Sequence, residues 1–318
     1  MTVTLHEGDS YQVLVDLFDS GIRVASCVCD PPYSLDSIVK RFGNKESKKA
    51  KFGRDGAFAR SSEKFHGHTW DSSGVERDPE FWKLVNAVLL PGGFIVAFSS
   101  PRTYHRMATA IEAAGFITHP MIGWAYGNGL PKGHHPHVPG FEGYRHGAQA
   151  RKPALEPIYV GQKPYSTKTC KTNILAHGVG PVDIEGCRAA NGNYPANLIT
   201  DGEALSPEVT TIFEAYPFDD QQVFYHRKAD ATDKEGSSHA TVKPIGLMRS
   251  LIRHVTPPGH TVLDPFAGSG TTGLAAEREG RNAILIEAVP EYAQEIRTRL
   301  AGGPVSASAY LNALGIAI

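Results

Sequence analysis

The sequence predicts an α/β fold built on a mostly parallel sheet with helices on both faces. Three observations carry this expectation. Short apolar runs of strand length alternate with helix-period segments along most of the chain. The run Val24–Cys29 stops at Asp30-Pro31-Pro32-Tyr33, where two prolines cannot continue a ladder. Thr261 to Glu287 reads as strand, glycine-rich turn, helix and strand.

The elements follow in order. Thr2–Leu5 is a strand, and Asp9 caps a helix running to about Leu17. Val24, Ala25, Cys27, Val28 and Cys29 make a buried strand. Phe81–Leu90 is helical, with Phe81, Leu84, Val85, Val88 and Leu89 on one face, and Pro91-Gly92-Gly93 ends it. Phe94–Phe98 is a strand, Arg102–Ala114 a helix stopped by Gly115, and Phe116–Trp124 a further strand. Glu156–Val160 is the last hairpin strand. Pro244–Val255 is a helix, Val262 and Leu263 lie in a strand, Thr271 opens a helix, and Pro290–Leu300 is the final helix.

The Asp30–Tyr33 corner carries the first chemistry. An amine on a nucleobase is a poor nucleophile because its lone pair is delocalised into the ring. The Asp30 carboxylate and the rigid Pro31 carbonyl form an acceptor pair for the two amino hydrogens. Tyr33 offers a face on which an extruded base stacks. Alone, the same residues also read as a strand end and a proline-rich turn with Asp30 as turn former. In TVLDPFAGSGTTG, Thr261–Gly273, Gly268 and Gly270 allow a tight turn and close approach to a ligand. Glu287 stands at the next strand end, where an acid accepts from a ribose diol. A phosphate loop would need Gly-Lys-Ser/Thr, and this chain has Gly-Thr-Thr.

Together, DPPY at Asp30–Tyr33 and DPFAGSGTTG at Asp264–Gly273 resemble the amino-methylating DNA methyltransferases that use S-adenosylmethionine. The order, catalytic motif first and cofactor motif last, resembles the β group, a circularly permuted arrangement. TVKPIGLM at Thr241–Met248 is similar to the motif just before the cofactor loop, with His239-Ala240-Thr241 where the family has His-Pro-Thr. SPRTYHRMATAIEAAGF, IGWAYGNGLPKG, KPALEPIYVGQKP and NGNYPANLITDG resemble phage and prophage members. The likeness covers nearly all of residues 1–300.

The resemblance implies a Rossmann-like S-adenosylmethionine-dependent methyltransferase fold with a seven-stranded sheet. It implies a discontinuous catalytic domain, 1–161 and 241–301, with a mobile basic loop at 34–69. A target-recognition region at 162–240 and a tail at 302–318 complete the chain. Catalysis falls to Asp30, Pro31, Pro32 and Tyr33. Cofactor binding falls to Asp9, Asp30, Thr241, Lys243, Asp264, Phe266, Gly268, Ser269, Gly270, Thr271 and Glu287. Phe266 is expected against the cofactor, and Lys243 or Thr241 near its methionine end. Asp9 reads equally as a plain helix cap. The implied reaction is methyl transfer to the N6 amino group of adenine in double-stranded DNA, with the base flipped out and displacement direct. N4-cytosine is the rival in chemistry, and Asp30 favours adenine because the resembling cytosine enzymes more often carry Ser there. A DNA-binding module with a decayed site and an RNA or protein methyltransferase are further alternatives.

Charge is consistent with local DNA contact only. The formal net charge is −1, so positive potential must be concentrated. Lys40, Arg41, Lys45, Lys48, Lys49 and Lys51 cluster directly after Tyr33, where they read as a phosphate clamp or as a solvated charge run. Lys163, Lys168, Lys171, Arg227 and Lys228, interleaved with aromatic residues, are assigned to target recognition. His134, His135 and His137 lack a fourth ligand at suitable spacing, and no metal is expected. MTVTLHEGDS is not a signal peptide, and no apolar run approaches membrane-spanning length. The four cysteines lack metal spacing, which fits a reducing cytoplasm. Leu311, Leu314 and Ile316 could dock on the core or on a second copy in a homodimer.

Overall fold

The computed structural model describes residues 1–34, 74–126, 133–147, 150–151, 153–189, 192–200, 233–234, 237, 239 and 242–302. The expected phosphate clamp (Lys40, Arg41, Lys45, Lys48, Lys49, Lys51), Arg227, Lys228, Thr241 and the tail from 303 onward lie outside the described residues.

The strands are β1 (Val3–Glu7), β2 (Val24–Cys29), β3 (Leu89–Phe98), β4 (Ile117–Ala125), β5 (Leu155–Gln162), β6 (Leu198–Thr200), β7 (Thr261–Asp264) and β8 (Asn282–Glu287). They form one sheet of eight strands in the order β1-β8-β7-β2-β3-β5-β4-β6. The helices are α1 (Ser10–Asp19), α2 (Pro79–Val88), α3 (Tyr104–Ala113), α4 (Cys170–His177), α5 (Ile245–Val255), α6 (Thr271–Arg278) and α7 (Pro290–Leu300). The pairs β1–β8, β8–β7, β7–β2, β2–β3 and β4–β6 are parallel, whereas β5 runs antiparallel to both β3 and β4.

The interleaving has a direct cause. The first strand pairs with the last, and β7 sits beside β2, so neither end of the chain closes the sheet alone. Alternation along each central strand serves two cores. Val28, Val96 and Phe98 face α5, α6 and α7, while Cys27, Cys29, Ile95 and Ala97 face α1, α2 and α3. Both faces are therefore covered, as a central parallel strand requires, and β2 is buried at every position.

Two expectations are corrected here. The sheet has eight strands rather than seven, because Leu198–Thr200, inside the expected recognition region, adds to the edge strand β4. Pro91-Gly92-Gly93 does not simply terminate a helix. Helix α2 ends at Val88, and the tripeptide opens β3 opposite a register shift between Val24 and Ser26. A Cβ at Gly93 would stand 2.6 Å from the Ala25 carbonyl oxygen, so only glycine allows this approach of the two strands.

Candidate active site

Asp30 leaves the carboxyl end of β2, and Pro31 and Pro32 behind it are buried. Its two carboxylate oxygens differ. Oδ2 accepts from the Lys243 ammonium at 2.5 Å. Oδ1 is buried and accepts no hydrogen bond. An ionised acid keeps a buried unpaired oxygen only at a cost of about 1–3 kcal/mol, which a bound donor would offset. Lys243 also donates to the Tyr33 hydroxyl at 3.3 Å and lies 3.6 Å from Glu156 Oε2. Its Nζ stands 4.9 Å from the Phe98 ring centroid and 5.5 Å from that of Tyr33. Burial alone would lower the lysine pKa, but Asp30 and Glu156 more than reverse this and hold it above its ordinary value.

Tyr33 donates to Glu156 Oε2 at 3.1 Å, and its carbonyl accepts from Thr103 Oγ1 at 3.2 Å. Burial, then Asp30 and Glu156, push its phenol well up, so it stays neutral. The next residue, Ser34, has φ +41°, in the left-handed region. Its hydroxyl donates to the buried Glu76 at 2.8 Å and its carbonyl accepts from Arg77. These bonds hold an uncommon backbone conformation for a non-glycine residue directly after the aromatic ring.

The glycine turn departs from β7. Asp264 closes that strand, accepts from the Phe266 amide at 3.0 Å and from the Thr272 hydroxyl, and so ties turn to helix. Burial pushes its carboxyl up to about 7. Gly268 and Gly270 have φ of +50° and +76°. A Cβ on Gly270 would also stand 3.0 Å from Ile296. Glu287, ending β8, accepts from the Gly268 amide at 2.7 Å and the Val289 amide at 2.8 Å. The Ala288 amide also bonds this carboxylate, whose two oxygens keep acceptor capacity for a hydroxyl. Burial raises the Glu287 carboxyl.

These groups line one edge. In parallel strands β1, β8, β7 and β2, taken in sheet order, the carboxyl ends carry Asp9, Glu287, the 265–270 turn and Asp30. Cys27 pairs with Leu263, so the acid corner and the turn leave neighbouring strands spaced roughly 4.8 Å apart. The Gly8 amide donates to the Glu287 carbonyl at 2.9 Å, and Ser10 Oγ to the Pro265 carbonyl at 2.6 Å. Such an edge is where open α/β sheets bind ligands.

Several of the expected residues also have structural partners. Asp9 acts as the α1 cap, accepting from Tyr11 and Gln12 amides at 3.0 and 3.3 Å. Phe266 sits against Phe81 and Trp82, with centroids 5.1 and 6.4 Å away. Ser269 and Thr271 are buried in the turn, their hydroxyls 2.9 Å apart. Lys243 lies on Asp30 itself. Lys163, Lys168 and Lys171, expected to contact DNA, lie on the chain that follows β5. Antiparallel β5 begins at the site end with Glu156 and finishes at the opposite end, where Gln162 pairs with Phe94. There the Lys163 ammonium donates to the Asn86 and Leu89 carbonyls at 2.7 Å each, closing the end of α2. Fully buried Asn173 of α4 bonds the Pro91 carbonyl at 2.8 Å, anchoring the helix that carries Lys171 at the same far end. Among the described residues of this region, the chain returns to the site end along β6, which parallels β4 up to Thr200.

Sequence reasoning missed Glu156 as a member of the site. Its signal was an acid near the start of an otherwise apolar strand, LEPIYVGQ. It also missed Ser34 and the adjacent pair Glu76 and Arg77, which lie far from Ser34 in sequence and meet it only in the fold.

The chain's residues 24–298 match the model of the N6/N4 DNA methylase family. This protein belongs to that family. S-adenosylmethionine is the methyl donor of the family. Among curated relatives, the Type II methyltransferase M.HindIII of Haemophilus influenzae is 26% identical over 234 residues, covering 68% of this chain and 67% of the relative. M2.DpnII of Streptococcus pneumoniae is 46% identical over 68 residues, 21% of this chain and 25% of the relative. Of solved structures, the cytosine-N4-specific PvuII DNA methyltransferase superimposes with a TM-score of 0.57 at 20% identity, covering 99% of this chain and 92% of the other. The M1.HpyAVI–SAM complex gives a TM-score of 0.51 at 19% identity, covering 94% and 100%. At such identity these structures share the fold, a Rossmann-like methyltransferase sheet. Among the described residues, no helix is long and apolar enough to cross a membrane.

Proposed function

We propose that this DNA methylase transfers a methyl group from S-adenosylmethionine to the N6 amino group of adenine in double-stranded DNA. The observation that carries the reading is the divided Asp30 carboxylate: Oδ2 is held by Lys243, and Oδ1 is buried with no partner. That oxygen accepts one amino hydrogen, and the Pro31 carbonyl accepts the other. The lone pair is then localised on nitrogen, and the extruded base stacks on Tyr33. The residues present also suit the cofactor. Glu287 offers lone pairs to the ribose hydroxyls, and the Gly268–Gly270 turn admits close backbone approach. The cofactor supplies an electrophilic methyl carbon on a sulfonium. Attack by the localised nitrogen lone pair would take that methyl group, with the S–C electron pair left on the departing thioether. The proton released from nitrogen passes to Asp30 Oδ1 and on to solvent. Orientation of the two reactants supplies much of the rate.

The basic residues after Tyr33 contribute phosphate contacts, and sequence reading belongs to the chain between Thr200 and Asp233 with the 127–154 segment. Both of these stretches leave the sheet at its site end. N4-cytosine is the second reading, favoured by the fact that the same two acceptors grip either exocyclic amine. Incubation of amplified, unmethylated genomic DNA with the protein and labelled S-adenosylmethionine, followed by hydrolysis to nucleosides, separates them. N6-methyladenosine as the labelled product supports the reading. N4-methylcytosine alone replaces it, and absence of label in any nucleoside refutes both.

A further inference from the structure

The reactive corner contains one charged group that the transfer itself does not use. Glu156 opens the only antiparallel strand among the described strands of the site edge, β5, and so comes from a segment remote from both motifs. Its Oε2 accepts from the Tyr33 hydroxyl at 3.1 Å and lies 3.6 Å from the Lys243 ammonium. The Tyr126 phenol, at the end of β4, also bonds to it, and burial followed by this acid raises that phenol. Its side chain is 14% exposed, beside 10% for Lys243 and 21% for Asp30. A half-dry carboxylate with three donors around it is held in place from three elements.

We propose that Glu156 is a positioning residue for the amine grip, acting through Tyr33 and Lys243. This rests on the methyl-transfer reading above. Two consequences follow from the geometry. The Tyr33 backbone carbonyl is held by the Thr103 hydroxyl and its phenol by Glu156, so the side chain is tied at both ends and the plane on which a base stacks is fixed. Lys243 is suspended between Glu156 and Asp30, which keeps its ammonium on Oδ2 and leaves Oδ1 for the substrate. Without Glu156 the ammonium is free to straddle both Asp30 oxygens. The amine would then compete with a buried cation for its acceptor.

The test uses the full chain, with Glu156→Ala and Glu156→Gln. Glutamine keeps an acceptor oxygen for the Tyr33 hydroxyl at the same reach. In single-turnover reactions on amplified, unmethylated genomic DNA, Glu156→Ala lowers the rate about 10- to 100-fold, the range expected of reactant misplacement. Its affinity for S-adenosylmethionine, read by calorimetry, stays within about 3-fold. Glu156→Gln recovers at least half of the loss on a logarithmic scale. Equal loss in both variants, or a rate within about 2-fold of wild type in Glu156→Ala, overturns the proposal. A second readout does not depend on activity. In protein labelled with 3-fluorotyrosine, the Tyr33 fluorine resonance, assigned by Tyr33→Phe, moves in Glu156→Ala and stays near its place in Glu156→Gln. An unmoved resonance in Glu156→Ala overturns the proposal even if the wild-type chain methylates no DNA, a result that would instead sink the functional reading.

Discussion

Replacing Asp30 with alanine separates the two halves of the site. The substitution deletes the only carboxylate with an unpartnered buried oxygen among the described residues and leaves the glycine turn untouched. A charge-assisted hydrogen bond to an ionised acceptor contributes about 1.5–3 kcal/mol, and loss of one preorganised electrostatic contact at a reacting centre costs about 10²–10³ in rate. The expected loss of methyl transfer is therefore at least about 10²-fold. Folding should suffer less than for most broken buried pairs, which cost about 3–5 kcal/mol. Lys243 keeps Glu156 at 3.6 Å and the Tyr33 hydroxyl at 3.3 Å, and the uncompensated Oδ1 disappears with the acid. Cofactor affinity should remain within about 3-fold, because the ribose acceptor and the turn belong to β8 and β7. The assay pairs transfer of labelled methyl to unmethylated DNA with calorimetric titration of S-adenosylmethionine and a melting curve. Cofactor binding lost together with activity, in a variant that still melts cooperatively, would refute the division between β2 and β7. Transfer within 10-fold of wild type would refute the amine grip.

Three further outcomes are expected. Asp264 titrates near 7 when folded because burial raises it from 3.8, so the folded chain holds a proton that the unfolded chain has released. Stability from this group is greatest below about pH 4 and falls by a few kcal/mol as pH rises toward 7. Asp264→Asn should flatten the dependence of melting temperature on pH across that window, and an unchanged slope would contradict the buried-acid account. Glu287→Ala removes the acceptor for the Gly268 and Val289 amides and for a ribose, so calorimetry should show at least about 10-fold weaker cofactor binding with DNA affinity intact. Replacing Lys45, Lys48, Lys49 and Lys51 with alanine should reduce the slope of log affinity against log salt by about 3–4. Replacing exposed Lys168 and Lys171, at the far end of the sheet, should leave that slope unchanged, and a change there would restore them to the DNA interface.

Much of this was legible from residues near one another in sequence. Val24–Cys29 had to be a buried strand and Asp30-Pro31-Pro32 its end, because six apolar or small residues followed by two prolines leave the backbone no other course. The Thr261–Glu287 unit was equally plain, since positive φ at Gly268 and Gly270 demands glycine where the chain turns tightly into a helix. For the basic residues Lys163, Lys168 and Lys171, charge and aromatic spacing say nothing about which end of a sheet the segment occupies. That depends on the direction of β5, which the sequence does give as a hairpin strand, and on the path of the chain after Gln162, which it does not.

The sequence alone thus determined which atoms the chemistry has available: a carboxylate and carbonyl at a strand end, an aromatic face, a glycine turn and a distal acid. Tertiary structure decided their division of labour. The pairing of β2 with β7 set the acid corner beside the turn, and the reversal of β5 carried Glu156 to Tyr33 and Lys243. The physical reason is that backbone conformation is written locally, whereas the partner of a buried charge is chosen by strand order, a property of the whole sheet.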